Sequence, residues 1–440
     1  SGSREELQKA VGKETTLPEN LHKPWIDEVT FKSPNTGNEM KRIPDVLDVW
    51  IDAGCASWAS LYYPKQKEQF ETFFPADFIV EGKDQIRGWF NLLMIAGFLA
   101  FDKPIAPFKN VSMHGFITDV EGEKMSKSLG NIISPWEVIE KTSIDNFRYY
   151  FTQTKAGEDI AFSWEQAELY QRQLTILWNT AKYFLDQLQH SSIALDEIES
   201  LGNVHLQDEE RYILSKTHST IKKVTDAYEH YRVEEVPGII SELFLSISRN
   251  YIQAVRDKLN GVKEEKAAAL YALKESVLIT TELFAPTAPF ITEMVFQNMK
   301  AALVGLDEDS VHQLIWPKAD DDVIDEGLEA AFESAISITS GVLAAREKAK
   351  QNVRQPLAKA VVVSKSKDIH QAAERFADLI KTQANVKELD VVEDFDKLTY
   401  KVKANFRNLS ADFGQQTADV GKAINNLSEA KAESMYKSFA

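Results

Sequence analysis

The sequence predicts a multidomain chain in which a parallel α/β segment, an all-α bundle and a small α+β module succeed one another. Three observations carry that prediction. Strand and helix signals alternate between residues 74 and 137. From about Trp164 to Lys300 apolar residues recur at helical spacing almost without a break. After Ala360, short β-branched runs return between helical stretches. The 440 residues fit about three domains at roughly 150 residues each.

Composition narrows the class. Hydrophobic residues make up 44% and charged residues 27%, as in an ordinary globular protein. The single cysteine, Cys55, excludes an internal disulfide framework and a multi-cysteine zinc site, and fits a reducing compartment such as the cytoplasm. No uncharged apolar run reaches the length of a membrane span, and no basic, apolar leader opens the chain. The opening Ser1-Gly2-Ser3 reads as a cloning remnant. The net charge of −17 argues against a surface that binds nucleic acid all over. The charge is uneven, however. Residues 336–440 hold 17 basic against 13 acidic residues, and the remainder 33 against 54. The tail is the better place for a polyanion, or else a mildly basic solvated domain.

The elements are these, in chain order. Ser33-Pro34-Asn35-Thr36-Gly37-Asn38 reads as a turn between Glu28–Lys32 and Glu39–Ile43, forming a hairpin. Asp77–Glu81 reads as a short buried strand, followed by Gly82 and a helix from about Asp84 to Phe101. Asn110–His114 is a second strand, and a Gly/Lys/Ser-rich loop runs from about Asp119 to Asn131. Ser134-Pro135-Trp136-Glu137 opens a helix: Ser134 suits the N-cap, Pro135 the first helical position, and Glu137 completes a capping box. In the bundle, Leu174, Leu177, Trp178, Ala181 and Leu185 recur at spacings of three and four. So do Ile239, Leu243, Ile247 and Ile252, with one longer step at the end. The bundle reads as four or five helices. Leu188–Gln207 reads as a connector, and Pro286 and Pro289 kink or break a helix. Ala319–Asp322 and Asp325–Gly327 read as an acidic linker; a solvated loop explains these carboxylates better than a metal site. Ala360–Ser364, Val386–Val392 and Leu398–Lys403 read as strands, Asp368–Lys381 and Gln415–Leu427 as helices.

The segment richest in chemistry is Glu123-Lys124-Met125-Ser126-Lys127-Ser128-Leu129-Gly130-Asn131. Its lysines can reach a polyphosphate, its serines can donate to phosphate oxygens, and Gly122 and Gly130 allow movement. Such groups stabilise charge building on leaving oxygens. On composition alone a solvated basic loop is the simpler reading. Arg346, Lys350 and Arg354 repeat every four residues before Pro356, so a helix would place them on one face, where they can track a phosphate backbone or simply be solvated. Trp164 and Trp178 can stack on RNA bases, though core packing suits them better.

Lys124–Ser128 reads KMSKS, which resembles the second signature of class I aminoacyl-tRNA synthetases. Neighbouring segments resemble isoleucyl-tRNA synthetases of archaeal or eukaryote-like type. Leu21–Asp27 resembles the return from the editing insertion. Pro44–Gly54 resembles the DVLDVWFDSG segment, with Ile51 and Ala53 departing from Phe and Ser. Glu81–Phe90 resembles EGxDQxRGWF, and His114-Gly115-Phe116 precedes KMSKS. Leu177–Asn179, Ala285–Pro289, Ser310–His312, Trp316-Pro317, Ala345–Glu347 and Arg354–Leu357 also fit. The resemblance covers nearly the whole chain, more strongly before residue 320.

The resemblance implies an isoleucine–tRNA ligase that activates isoleucine with ATP and Mg2+ and then esterifies tRNA-Ile. Lys127 with Lys124 would stabilise the departing pyrophosphate, supported by Ser126 and Ser128. His114 and Gly115 would approach ATP. Glu81, Gly82, Asp84 and Gln85 would hold the aminoacyl-adenylate, and Trp50 and Trp89 would line the isoleucine pocket. Arg346, Lys350 and Arg354 would contact tRNA. The implied domains are 1–45, the end of the editing insertion; 46–140, the second half of a Rossmann-like catalytic domain; 141–325, the stem-contact region and anticodon bundle; and 326–440, the α+β module. The first signature, His-x-Gly-His, is absent. The expectation is therefore a C-terminal part of the enzyme, inactive without an N-terminal half. The alternative is a short relative that binds tRNA or protein and catalyses nothing.

Overall fold

The computed structural model describes residues 3–101, 105–126, 128, 130–303, 305–395 and 402–439. The chain divides into two compact units: Ser1–Ile132 with Thr154–Ser163, and Ile133–Gln153 with Trp164–Ala440.

The first unit begins with helix α1 (Arg4–Val11), capped by the Ser3 side chain, and the hairpin β1 (Thr30–Lys32) and β2 (Glu39–Lys41). The hairpin is antiparallel with Thr30 opposite Lys41, as its turn residues predict. Next come the short helices α2 (Val49–Gly54), α3 (Ala56–Ala59) and α4 (Lys67–Phe73). Strand β3 (Ala76–Gly82), helix α5 (Trp89–Ala100) and strand β4 (Phe108–His114) form a βαβ unit, and β3 and β4 pair in parallel. A second parallel pair joins β5 (Ile117–Thr118) to β6 (Ile160–Ala161).

Two expectations change here. The helix does not start at Asp84: Lys83–Arg87 form a 3-10 turn, and α5 begins after Gly88, where the Gln85 Oε1 accepts from the Trp89 N–H at 2.9 Å. A side chain, rather than a preceding helical turn, satisfies the first donor. Nor is β3 buried. Phe78 and Val80 on β3 and Val111 on β4 are exposed, because the sheet has two strands and no further layer among the described residues.

The second unit opens with α6 (Pro135–Lys141) and α7 (Ile144–Thr152). Ser134 and Pro135 hold the N-cap and first helical positions, but the capping box does not form. The Ser134 side chain makes no capping bond, and Glu137 pairs with Lys141 at 2.7 Å. The bundle comprises α8 (Trp164–Ser191), α9 (Leu195–Gly202), α10 (Asp208–Glu229), α11 (Val236–Ser246), α12 (Ile252–Ala254), α13 (Lys263–Phe284) and α14 (Pro289–Ala302). That is more than the four or five helices the period suggested. The expected connector contains α9, whose Gly202 lies so near α13 that a Cβ would sit 2.4 Å from the Tyr271 Cβ. Pro289 starts α14, so the prolines break the helix rather than kink it.

The bundle core is where burial stabilises the chain. Leu174, Leu177 and Ala181 are buried as expected, with Trp178 and Leu185 half-buried against them. Tyr212 stacks on Phe332 at 3.9 Å between ring centres, and each such aromatic contributes about 2–3 kcal/mol by removal from water. Fully buried Glu210 is offset by Lys258 at 2.8 Å.

Helix α15 (Glu326–Lys348), 23 residues long, is apolar enough on average to meet the length and hydropathy of a membrane span, though Glu329 and Glu333 keep it from being an uncharged run. Its Leu328, Phe332 and Ala335 nevertheless face the bundle core. The acidic linker ends early, because Asp325 is the N-cap of α15 and accepts from the Leu328 N–H at 2.9 Å. Strand β7 (Leu357–Val363), helices α16 (Lys367–Arg375) and α17 (Ala377–Ala384), and strand β8 (Val386–Val392) form a second βαβ unit with a parallel β7–β8 pair. One helix was expected where α16 and α17 lie; Phe376, buried against Phe332, marks the break. Residues 398–401 of the expected third strand lie outside the described residues, and 402–403 are irregular. Helices α18 (Phe406–Phe413), α19 (Thr417–Asn425) and α20 (Glu429–Phe439) end the chain; α19 lies within the helix expected over Gln415–Leu427.

Candidate active site

The candidate site is built on the C-terminal ends of β3 and β4, the place where open α/β sheets receive ligands. Their parallel register sets Glu81 opposite Met113 and Gly82 opposite His114. Gly82 is buried, and a Cβ there would lie 2.5 Å from the Asp84 Oδ1 and 3.4 Å from the His114 Cε1, so the exposed Asp84 carboxylate would have to turn aside to admit it. One small position thus gathers Asp84 and His114. Asp84 also accepts from the Gln85 amide at 3.0 Å, while the Gln85 oxygen caps α5. Glu81, Asp84 and His114 are not buried, so a ligand can reach their polar atoms.

The two tryptophans meet through their helices. Asp48 caps α2 by accepting from the Trp50 N–H at 2.9 Å. The Trp89 indole donates to the Ala53 carbonyl at 2.9 Å. α2 and α5 approach until a Cβ at Gly54 would sit 3.1 Å from the Leu92 oxygen. Trp89 is half-buried at this seam and Trp50 is exposed.

Beyond His114 the chain passes under the 157–159 loop. A Cβ on Gly115 would lie 1.9 Å from the Glu158 oxygen, which admits no side chain. Asp159 accepts from the Phe116 N–H at 2.7 Å and pairs with Lys83 at 2.7 Å. The Lys83 bond, then the Phe116 N–H, hold the Asp159 carboxyl below its ordinary range.

The Lys/Ser loop leaves β5 and is tied at its base. Thr118 bridges Lys124 in antiparallel fashion. Asp119 accepts from the Glu123 N–H at 2.7 Å and from the Asn131 amide at 2.8 Å. The Asn131 bond first, then the Glu123 N–H, lower the Asp119 pKa. Asn131 in turn accepts from the Ser126 N–H at 2.9 Å. Gly122 and Gly130 take positive φ, +84° and +67°, with open space around them. Lys124 and Ser128 are exposed, and the Ser126 and Ser128 hydroxyls lie 3.1 Å apart. Lys127 lies outside the described residues. The frame residues Asp119, Asn131, Lys83 and Asp159 escaped the sequence reading. Asp119 and Asn131 bracket the loop in sequence, a signal that polar residues at both ends of a glycine-flanked loop clamp it.

The basic stripe does not exist as a helical face. α15 ends at Lys348, Lys350 takes positive φ (+55°), and Arg354 lies in the turn beyond it. Arg346 is buried, 3% exposed, donating to the carbonyls of Asn352 at 2.7 Å, Gln355, and Asn385 at 3.4 Å. Four-residue spacing placed these residues on one face only while the helix continued. Of the tryptophans considered for stacking on RNA, Trp178 packs against the core and Trp164 lies under the Lys141 ammonium at 4.3 Å.

Residues 2–163 match the family model described as tRNA synthetases class I (I, L, M and V). Residues 210–362 match the anticodon-binding domain of tRNA ligase. The isoleucine–tRNA ligase of Pyrococcus horikoshii is 38% identical over 432 residues, covering 96% of this chain and 39% of the relative. That of Archaeoglobus fulgidus is 38% identical over 414 residues, covering 93% and 40%. The chain therefore spans about two fifths of the length of these relatives. The LeuRS of Agrobacterium radiobacter K84, solved as a LeuRS-tRNA-LeuAMS ternary complex, superposes with a TM-score of 0.52 at 22% identity, covering 68% of this chain and 36% of that one. That likeness is one of fold.

Proposed function

We propose, from the premise that this chain belongs to the class I tRNA synthetases, that it supplies one half of the active site of an isoleucine–tRNA ligase. The observation that carries this is the parallel register that sets Glu81 and Gly82 beside Met113 and His114, with the KMSKS loop further along the same chain. Residues 46–140 act as the second half of the catalytic domain, 141–325 as the stem-contact and anticodon-binding region, 326–440 as an appended module, and 1–45 as the exit of an editing insertion. The setting is the cytoplasm.

In the first step the isoleucine carboxylate attacks the α-phosphorus of ATP. An oxygen–phosphorus bond forms, the bond to the bridging α–β oxygen breaks, and pyrophosphate leaves. Charge grows on that leaving group, and Lys127 with Lys124 opposes it. Ser126 and Ser128 donate to phosphate oxygens, and His114 with Gly115 lies against the nucleotide. Mg2+ accompanies ATP as part of the substrate, bound to its phosphates. Glu81 pairs with the amino acid's ammonium group. Gly82, Asp84 and Gln85 hold the adenylate formed, and Trp50 and Trp89 offer apolar faces to the branched side chain. In the second step a ribose hydroxyl of tRNA-Ile attacks the adenylate carbonyl and AMP leaves. Lys350 and Arg354, exposed beyond α15, serve as tRNA contacts, while Arg346 positions the corner that carries them.

The test is Lys127→Ala in enzyme reconstituted with a segment bearing the His-x-Gly-His half. Adenylate formation should be lost and tRNA binding kept. Unchanged adenylate formation would refute the assignment.

A further inference from the structure

Helix α15 carries small residues at Ser337, Gly341 and Ala345, four apart and so on one face. Across from them runs β7, whose Val361 and Val363 stay 37% and 36% exposed. Because the helix brings little bulk to this seam, a cavity of about 580 Å3 lies between α15 and β7. Small-ligand pockets span roughly 300–1,000 Å3. The wall is mostly apolar, from Ile338 and Val342 on the helix and the valines on the strand.

Charge enters this wall at the start of β7. Arg346 lines the cavity there and is only 3% exposed. Its Nη atoms donate to the carbonyls of Asn352, Gln355 and Asn385, all uncharged. Its Nε N–H is buried and has no acceptor among the described residues, and none of the described carboxylates pairs with the guanidinium. Buried charges are ordinarily paired, because neutral dipoles do not return the full cost of taking an ion out of water. The other cation on the wall, Lys359, is already neutralised by Asp390 and Glu388. Arg346 is therefore a buried cation beside a largely apolar cavity, with one donor left over.

We propose that the α15–β7 cavity binds an aliphatic monocarboxylate. The carboxylate accepts from Arg346 and supplies its missing counter-charge. The hydrocarbon chain lies between the small face of α15 and the valines of β7. One spare N–H in an apolar wall suits a single carboxylate. A phosphate would leave most of its oxygens dry and unpaired, and a neutral hydrocarbon would leave the guanidinium as it is. The site is independent of the adenylate chemistry, because every wall residue named here belongs to the second unit.

The experiment is calorimetric titration of decanoate into the full chain, below the concentration at which the acid forms micelles. It compares the unaltered protein with Gly341→Ala and Gly341→Leu. A Cβ at Gly341 meets nothing within 4 Å, so both variants have room, and the gain in helix propensity should hold or raise the thermal midpoint. Decanoate should bind one-to-one to the unaltered chain and to Gly341→Ala. Gly341→Leu, which puts a branched side chain into the cavity, should bind at least about tenfold more weakly. Decanol, with the same chain and no charge, should bind about tenfold more weakly than decanoate, the ratio that a charged hydrogen bond supplies. Equal affinity for decanol and decanoate would overturn the role of Arg346 and with it the proposal. Equal affinity in Gly341→Leu and the unaltered chain would place the acid elsewhere and overturn it too. No saturable decanoate binding overturns it outright, as does binding of an end-blocked, valine-rich peptide in its place, which would make the cavity a groove for an added strand. No RNA, ATP or isoleucine enters the assay, so none of these outcomes bears on the synthetase reading.

Discussion

Replacing Arg346 with methionine separates two accounts of this residue. The sequence suggests a phosphate contact. The structure shows a buried guanidinium joining the end of α15 to the corner at Asn352 and Gln355 and to Asn385 ahead of β8. Hydrogen bonds from a charged donor are worth roughly 1.5–3 kcal/mol each, and the 3.4 Å bond to Asn385 counts least. Methionine fills much of the space but leaves the Asn352 and Gln355 carbonyls without this donor. After allowance for the cost of burying the guanidinium, the loss is about 3–4 kcal/mol. At 1.4 kcal/mol per tenfold, opening of the β7–β8 unit becomes roughly 100- to 1,000-fold more frequent. Amide hydrogen exchange over Leu357–Val363 and Val386–Val392 reads this directly. The tRNA affinity of the folded fraction should change less than about twofold. Unchanged exchange together with weakened tRNA binding would refute the structural role and restore the phosphate contact.

Two further outcomes come from the packing. Gly115→Ala forces a Cβ to within 1.9 Å of the Glu158 oxygen, so backbone must move; urea denaturation should show a loss of at least about 2 kcal/mol, and an unchanged midpoint would contradict the crossing described. The Glu282 pKa is pushed up to about 7, chiefly by burial and then by Glu275 and Glu308. A raised acid pKa means the folded state holds its proton longer, so the protonated carboxyl costs least below about pH 4.5, and stability is lost as pH rises through 7. Glu282→Gln should therefore exceed the unaltered protein in stability at pH 8, by no more than about 3 kcal/mol, and lose that advantage near pH 4.5. Urea midpoints at the two pH values decide it, and a pH-independent difference would contradict the buried, protonated carboxyl.

How much of this was legible in the sequence depends on how local the cause is. The β1–β2 turn, β7 and β8, and the proline break before α14 rest on turn chemistry and period, and they were readable. The longer step from Ile247 to Ile252 was also visible, and it is a π-helical turn, although periodicity alone could not name it. The failures were decided by side-chain contacts that a period does not register. Gln85 reaching forward to cap Trp89 delays α5. Lys141 takes Glu137 from the capping box. Carbonyls from Asn352, Gln355 and Asn385 draw Arg346 inward, away from the stripe that its spacing implied. At the candidate site, the residues that would carry chemistry were readable through resemblance, whereas the frame holding them was not. Asp119, Asn131 and the Lys83–Asp159 pair become visible only once strands and loops are placed together.

The central claim is that this chain holds one half of an adenylate-forming site. Isoleucine-dependent exchange of pyrophosphate into ATP tests it most directly, run on the chain alone and after mixing with a separately produced segment bearing the His-x-Gly-His half. The account predicts silence from the chain alone and exchange on mixing, with the exchange lost in Lys127→Ala. Silence in the mixture while the chain still binds tRNA would contradict it and leave a protein that binds RNA without catalysis.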